Sequence, residues 1–197
     1  MKRENIIVYL LICFVFIIVS KIYFDSDIFK LKCIVSTVDG NSYCVRERNK
    51  IDLVVDLLAN VTQKLTTLVK YMKKTYPENE DVKRLVKRFN PRQIKETLPT
   101  SKYTAYSENK GEKLAFCVTT KKKNNELIDE NTLTFVAIHE LAHIASKSIG
   151  HNDEFWNNFK FLLNNAVKIK IYNPIDYKKN NKSYCGMQIT DSPYFDL

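Results

Sequence analysis

Residues 139–143 read His-Glu-Leu-Ala-His. On a helix, two histidines four residues apart lie about 40° from one another around the axis, so both imidazoles reach a single ion. The chain has only three histidines, all within thirteen residues, and the third, His151, follows Gly150, where the backbone can reverse. Three imidazoles leave one position of a tetrahedral ion open to water, the arrangement of a catalytic rather than a structural zinc. Glu140, between the first two, is placed to accept a proton from such a water and pass it to a leaving amine. Zinc lowers the pKa of the water toward about 7 and polarises a carbonyl. The chemistry these residues suit is hydrolysis of a peptide bond with one Zn2+ per chain. Asp153 and Glu154 are alternative third ligands; otherwise they are carboxylates favoured by the dipole at a helix N-terminus.

The positioning elements follow from hydrophobic spacing. From Phe135 to Ala145 every residue except His139, Glu140 and His143 is apolar, so this helix is expected to be buried nearly all round, with three polar groups that need partners. Asp129-Glu130-Asn131 supplies its N-cap, and it is expected to run to about Ile149, with Gly150 as the left-handed C-terminal residue. A helix from Asn152 or Asp153 places Trp156, Phe159, Leu162, Leu163, Ala166 and Val167 along one side and stops before Asn173-Pro174. Upstream, Tyr103 to Tyr106 and Leu114 to Thr119 are β-prone runs around Ser107–Glu112, a hairpin loop containing Gly111. Ile51 to about Lys74 has a helical apolar period, and a shorter helix runs from Asn79 or Asp81 to Asn90-Pro91. Residues 25–50 are a hairpin or a stalk with Asp39-Gly40-Asn41 as its turn, and the tail from Lys178 is expected to pack back irregularly. The reading is an α+β domain over 51–197, with a helical region at 51–98 and a catalytic part at 99–197.

A chain of 197 residues suffices for one domain with an added segment. With 45% hydrophobic and 27% charged residues and only 4 Gly and 5 Pro, disordered and collagen-like chains are excluded. The formal charge of +9 is compatible with nucleic acid or an anionic membrane. Lys121 to Asn125, however, has no interleaved aromatics and reads as a solvated loop. Residues 1–24 form the anchor: Asn5 to Ser20 are uncharged, and continuing to Phe24 with Lys21 snorkelling gives a length that spans a bilayer as a single-pass helix. A cleaved signal peptide is the competing reading, although small residues at the exit are missing. Lys2 and Arg3 precede the segment and Lys21, Lys30 and Lys32 follow it, so charge does not set orientation. Four cysteines beyond it, Cys33, Cys44, Cys117 and Cys185, and the sequons at Asn60 and Asn181 point to a lumenal, extracellular or virion-facing C-terminal part. Cys33 with Cys44 is a local disulfide choice that leaves Cys117 and Cys185; four cysteines allow three connectivities.

The stretch His139-Glu140-Leu141-Ala142-His143 with Gly150-His151-Asn152-Asp153-Glu154-Phe155-Trp156 resembles the WLM and SprT-like zinc metallopeptidases, in which HExxH is followed by a third histidine and then an aromatic. The resemblance covers roughly residues 100 to 170, including the upstream hairpin. It implies a zincin-like fold, zinc ligation by His139, His143 and His151, Glu140 as catalytic base, and Phe155 and Trp156 packing the second helix onto the first. Some members act on proteins crosslinked to DNA; the anchor departs from that soluble pattern. Membrane-anchored proteins of this look are expected among large DNA viruses. Tyr172 and Tyr177 are weaker candidates for hydrogen bonding an oxyanion, and Met187 is expected to serve ordinary packing. The reading is a membrane-anchored zinc endopeptidase acting on protein or peptide. Its rivals are a catalytically silent zinc-binding adaptor and a DNA-protein crosslink repair protease.

Overall fold

The computed structural model describes residues 3–25, 31–98, 100–122 and 126–196. Lys2 and Lys30 of the basic flanks, residues 26–30 of the expected stalk, and Lys123 to Asn125 of the polar loop lie outside the described residues. The first helix, α1, spans Arg3–Asp25. Its window Ile6–Tyr23 has a mean hydropathy of 2.7 and no buried residue. Its length and apolarity suit either a membrane span or a signal sequence.

The remaining described elements form a mixed α+β arrangement. A five-stranded sheet contains β1 (Leu31–Val35), β2 (Ser42–Arg46), β3 (Ile94–Glu96), β4 (Ala105–Glu108) and β5 (Lys113–Phe116). Their order is β1-β2-β3-β5-β4, which leaves β4 at an edge. The β1/β2 and β4/β5 pairs are antiparallel hairpins, whereas β2/β3 and β3/β5 run parallel. Residues 31–46 are therefore a hairpin built into the sheet. Cys33 lies directly opposite Cys44 in its register, and the two are disulfide-bonded. Neither β3 nor its central place was expected: three residues carry too little pattern, and they become a strand because both neighbours supply backbone partners.

Between β2 and β3 run α2 (Ile51–Thr75) and α3 (Glu80–Arg88), close to the expected bounds. Asn79 caps α3 by accepting from the Asp81 and Val82 amides at 2.9 and 3.0 Å. α2 lies along β1 to β3 and, with α3, packs against α4 (Glu130–Ala145); α5 (Asp153–Lys168) packs on α4 as well. The α4 helix is thus central, and Leu133, Ala137, Ile138, Leu141 and Ile144 are buried in its core. The Asp129 carboxylate accepts from the Thr132 amide at 2.9 Å and starts this helix.

Two sequence expectations need correction. α4 ends at Ala145 rather than near Ile149, because Ser146 turns to an extended backbone while its amide and hydroxyl donate to the Ala142 carbonyl at 2.9 and 2.8 Å. Gly150, at φ +89°, consequently bends the loop before α5 instead of capping α4. The tail is not irregular: β6 (Lys182–Tyr184) and β7 (Met187–Ile189) form an antiparallel ribbon around Cys185-Gly186, both left-handed. Cys185 is bonded to Cys117 just beyond β5, and Cys13 in α1 is free.

Candidate metal centre

His139 and His143 stand one turn apart on α4, and the loop from Ser146 to Asn152 brings His151 to them. One ligating nitrogen from each ring lies within 4.8 Å of the others. The Nε2 atoms of His139 and His151 are 3.0 Å apart. Two nitrogens bound at 2.0–2.1 Å to a tetrahedral zinc sit about 3.3 Å from each other, so the separation suits a shared ion. Without a proton or cation between them, facing lone pairs at 3.0 Å repel. Phe155 fixes the rings from below, its centroid 4.8 Å from that of His139 and 4.3 Å from that of His143.

Burial keeps the rings of His139 and His143 in the neutral form that a metal would require. Burial, reinforced by the neighbouring imidazoles, pushes His139 down to about 3 and His143 down to about 4, so both rings are neutral at physiological pH. Glu140 projects from the same turn and is 5% exposed. Burial pushes its carboxyl up to about 8. Three imidazoles beside a buried carboxyl form a donor set that fits a divalent ion.

The alternative ligands have other partners. The Glu154 carboxylate accepts from the Lys147 amide at 2.7 Å and the Ser148 amide at 2.9 Å. The Ser148 hydroxyl and these amides hold it down to about 2. Asp153 is exposed at the start of α5. Phe155 does pack α5 beneath the three histidines, but Trp156 is 43% exposed and lies beside His151, with ring centroids 5.8 Å apart. Its neighbour Phe155 takes the inward position on α5, which turns Trp156 outward.

Tyr172 and Tyr177 do not reach the site. Both are buried against Phe135, at centroid distances of 5.9 and 4.8 Å, and the Tyr172 hydroxyl accepts from the Ile175 amide at 3.4 Å. Sequence reasoning missed Tyr184 instead. It is buried, donates to the Thr104 carbonyl at 3.2 Å, and has its hydroxyl pushed well up by burial and by the charge of Glu140. No local motif marks it, because the Cys117–Cys185 bridge and the ribbon deliver it from a distant part of the chain. Met187, half exposed, is a groove-wall residue and not a packing residue. Of the sequons, Asn60 is half-buried inside α2 and Asn181 is exposed.

A groove of about 1090 Å³ passes over the three histidines and Glu140. Tyr106 of the edge strand β4 and Trp156 line it, and Met187 and Ile189 of the ribbon form another part of its wall.

Along 88% of its length the chain is similar to Uncharacterized protein R325 of Acanthamoeba polyphaga mimivirus, with 29% identity over 180 residues covering 91% of that protein. Over 83 residues it is 36% identical to Uncharacterized protein 042R of Invertebrate iridescent virus 3, spanning 42% of this chain and 50% of that one. Uncharacterized protein 136R of Invertebrate iridescent virus 6 is 36% identical over 70 residues, or 35% of this chain and 38% of that protein. No family model matches, and no solved structure matches.

Proposed function

We propose that the chain is a zincin-like, zinc-dependent endopeptidase held at a membrane by α1. The observation that carries this reading is the convergence of His139, His143 and His151 on one point beside the buried Glu140, at the floor of a groove flanked by an edge strand. His139, His143 and His151 would hold the ion. Zinc supplies a Lewis acid that acidifies water and polarises a carbonyl. Glu140 acts as the proton acceptor and then as the donor to the leaving amine, and the charge of a nearby divalent ion favours the ionised carboxylate that this role needs. The free edge of β4 offers backbone N–H and C=O groups to an extended peptide, and the apolar walls shield the reacting groups from bulk water.

The test uses the full chain in detergent, with zinc measured by elemental analysis and cleavage of casein followed over time. One zinc per chain is expected, lost in His139→Ala. Glu140→Gln is expected to keep the zinc and lower cleavage by about 10²–10⁴-fold, the usual contribution of a positioned acid-base group. Zinc binding without cleavage by the wild type refutes the peptidase reading in favour of a silent adaptor. Absence of zinc under metal-replete conditions refutes both.

A further inference from the structure

Two ligands of the centre are fixed by α4 itself, but His151 sits on the loop Ser146–Asn152, in which Ser146 is buried while Lys147 and residues 149–152 are exposed. Ile149 is 89% exposed, and nothing lies within 4 Å of the place a Cβ on Gly150 would take. Polar bonds to the backbone hold this loop, and they come from opposite sides. Lys110 Nζ donates to the carbonyls of Ser146, Lys147 and Ser148 at 3.0, 2.6 and 2.9 Å. The Glu154 carboxylate accepts from the amides of Lys147 and Ser148 and from the Ser148 hydroxyl. Both backbone groups of Lys147 and of Ser148 are therefore taken by this one pair of side chains.

Lys110 is itself rigidly placed. It occupies the β4–β5 turn at φ 54°, followed by Gly111 at φ +113°. A Cβ on Gly111 would lie 2.7 Å from the Arg88 carbonyl oxygen, so the turn is wedged against the end of α3. The lysine thus reaches the loop from a fixed base, and Glu154 reaches it from the first turn of α5.

We propose that Lys110 and Glu154 are positioning residues of the metal centre, gripping the 146–148 backbone from its carbonyl and amide sides so that His151 is held against His139 and His143. This rests on the metal reading above. Groups that orient ligands in this way are typically worth about 10–100-fold in metal affinity.

The experiment measures the zinc Kd of the full chain in detergent by competition with a chromophoric chelator, and the visible absorption of the cobalt(II) form. Lys110→Met and Glu154→Gln are each made in the wild-type and His151→Ala backgrounds. Each is expected to weaken zinc by about 10-fold in the wild type, to alter the cobalt bands, and to cause no further loss once His151 is gone. Lys110→Arg, which keeps a cationic donor, is expected to restore most of the affinity. Unchanged affinity in both variants overturns the proposal, and so does an equal loss in the two backgrounds, which marks a role in general stability. If Lys110→Met does not fold, Glu154→Gln decides alone, since its amide oxygen still accepts one bond. A wild type that takes up no zinc overturns the metal reading and this proposal together, whereas tight zinc in the wild type with unaffected variants overturns only this one.

Discussion

The two disulfides provide a perturbation whose magnitudes can be ranked in advance. Cys33–Cys44 closes a separation of 11 residues and Cys117–Cys185 one of 68. In the chain-entropy treatment these loops correspond to about 2.8 and about 4.4 kcal/mol of stabilisation at 25 °C. The longer bridge also holds the β6–β7 ribbon, whose other ties include the Cys185 and Gly186 amides to the Thr119 and Thr120 carbonyls at 2.9 and 2.8 Å, the Ser183 hydroxyl to Thr120 at 3.1 Å, and Tyr184 and Met187 to Thr104. The paired change Cys117→Ala with Cys185→Ala is therefore expected to cost more in urea unfolding of the full chain than Cys33→Ala with Cys44→Ala, by about 1.6 kcal/mol. It should also raise amide hydrogen exchange over residues 182–189, which the shorter pair should leave protected. Alkylation of the untreated chain is expected to label one thiol, Cys13. A reversed order of costs, or alkylation of further cysteines before reduction, refutes the reasoning.

Two other outcomes follow from buried charge. Glu96 is fully buried, accepting from the Arg46 amide at 2.8 Å and Nε at 2.5 Å and paired also with Arg48. Glu96→Ala leaves two largely buried guanidinium groups uncompensated and is expected to lower unfolding free energy by about 3–5 kcal/mol, with a loss below about 1 kcal/mol refuting the pairing's importance. In chelator-treated protein, Glu140 has a folded value near 8, above the ordinary 4.5, so the folded state binds more protons and stability falls as pH rises through that window. His139 and His143, depressed to about 3 and 4 from 6.5, act oppositely, adding stability as pH rises but only up to about 6.5. Between pH 6.5 and 8 the thermal midpoint is expected to decline in the wild type and to stay level in Glu140→Gln; parallel profiles count against the burial argument.

The parts of the fold that could be read from residues alone are those whose signal is local. α2 and α3 carry a repeated apolar period, Asn79 caps α3, and the β4–β5 runs flank a loop with a glycine, so their bounds match expectation within a few residues. The end of α4 did not, because the serine side chain that terminates it competes for the same Ala142 carbonyl, and Asn158 donates to that serine from α5 at 3.1 Å. A capping glycine four residues later is a weaker signal than a tertiary hydrogen bond, but only the former is written locally. The sheet's middle was equally hidden: β3 is three residues long and owes its place to β2 and β5 on either side.

The same division runs through the site. His139, Glu140 and His143 are one helical turn of sequence, and His151 is near enough in the chain to be found by counting. What surrounds them is assembled from segments 29 or more residues from His139: Lys110 from one hairpin, Tyr184 and Met187 from another. Thr104 joins these walls, since its carbonyl takes the Cys117 amide at 2.8 Å and the Tyr184 hydroxyl, and its own hydroxyl lies 3.5 Å from the Met187 sulfur. Tyr172 and Tyr177 were attractive by proximity in sequence to the end of α5, yet Phe135 draws both into the core on its own side. The groups of the proposed centre are thus close together in the chain, on one helical turn and the loop that follows it, while the groups that shape access to them depend on long-range contacts. On the endopeptidase proposal, substitutions in the walls should alter which peptides enter the groove, whereas those in the helical turn should remove the chemistry itself.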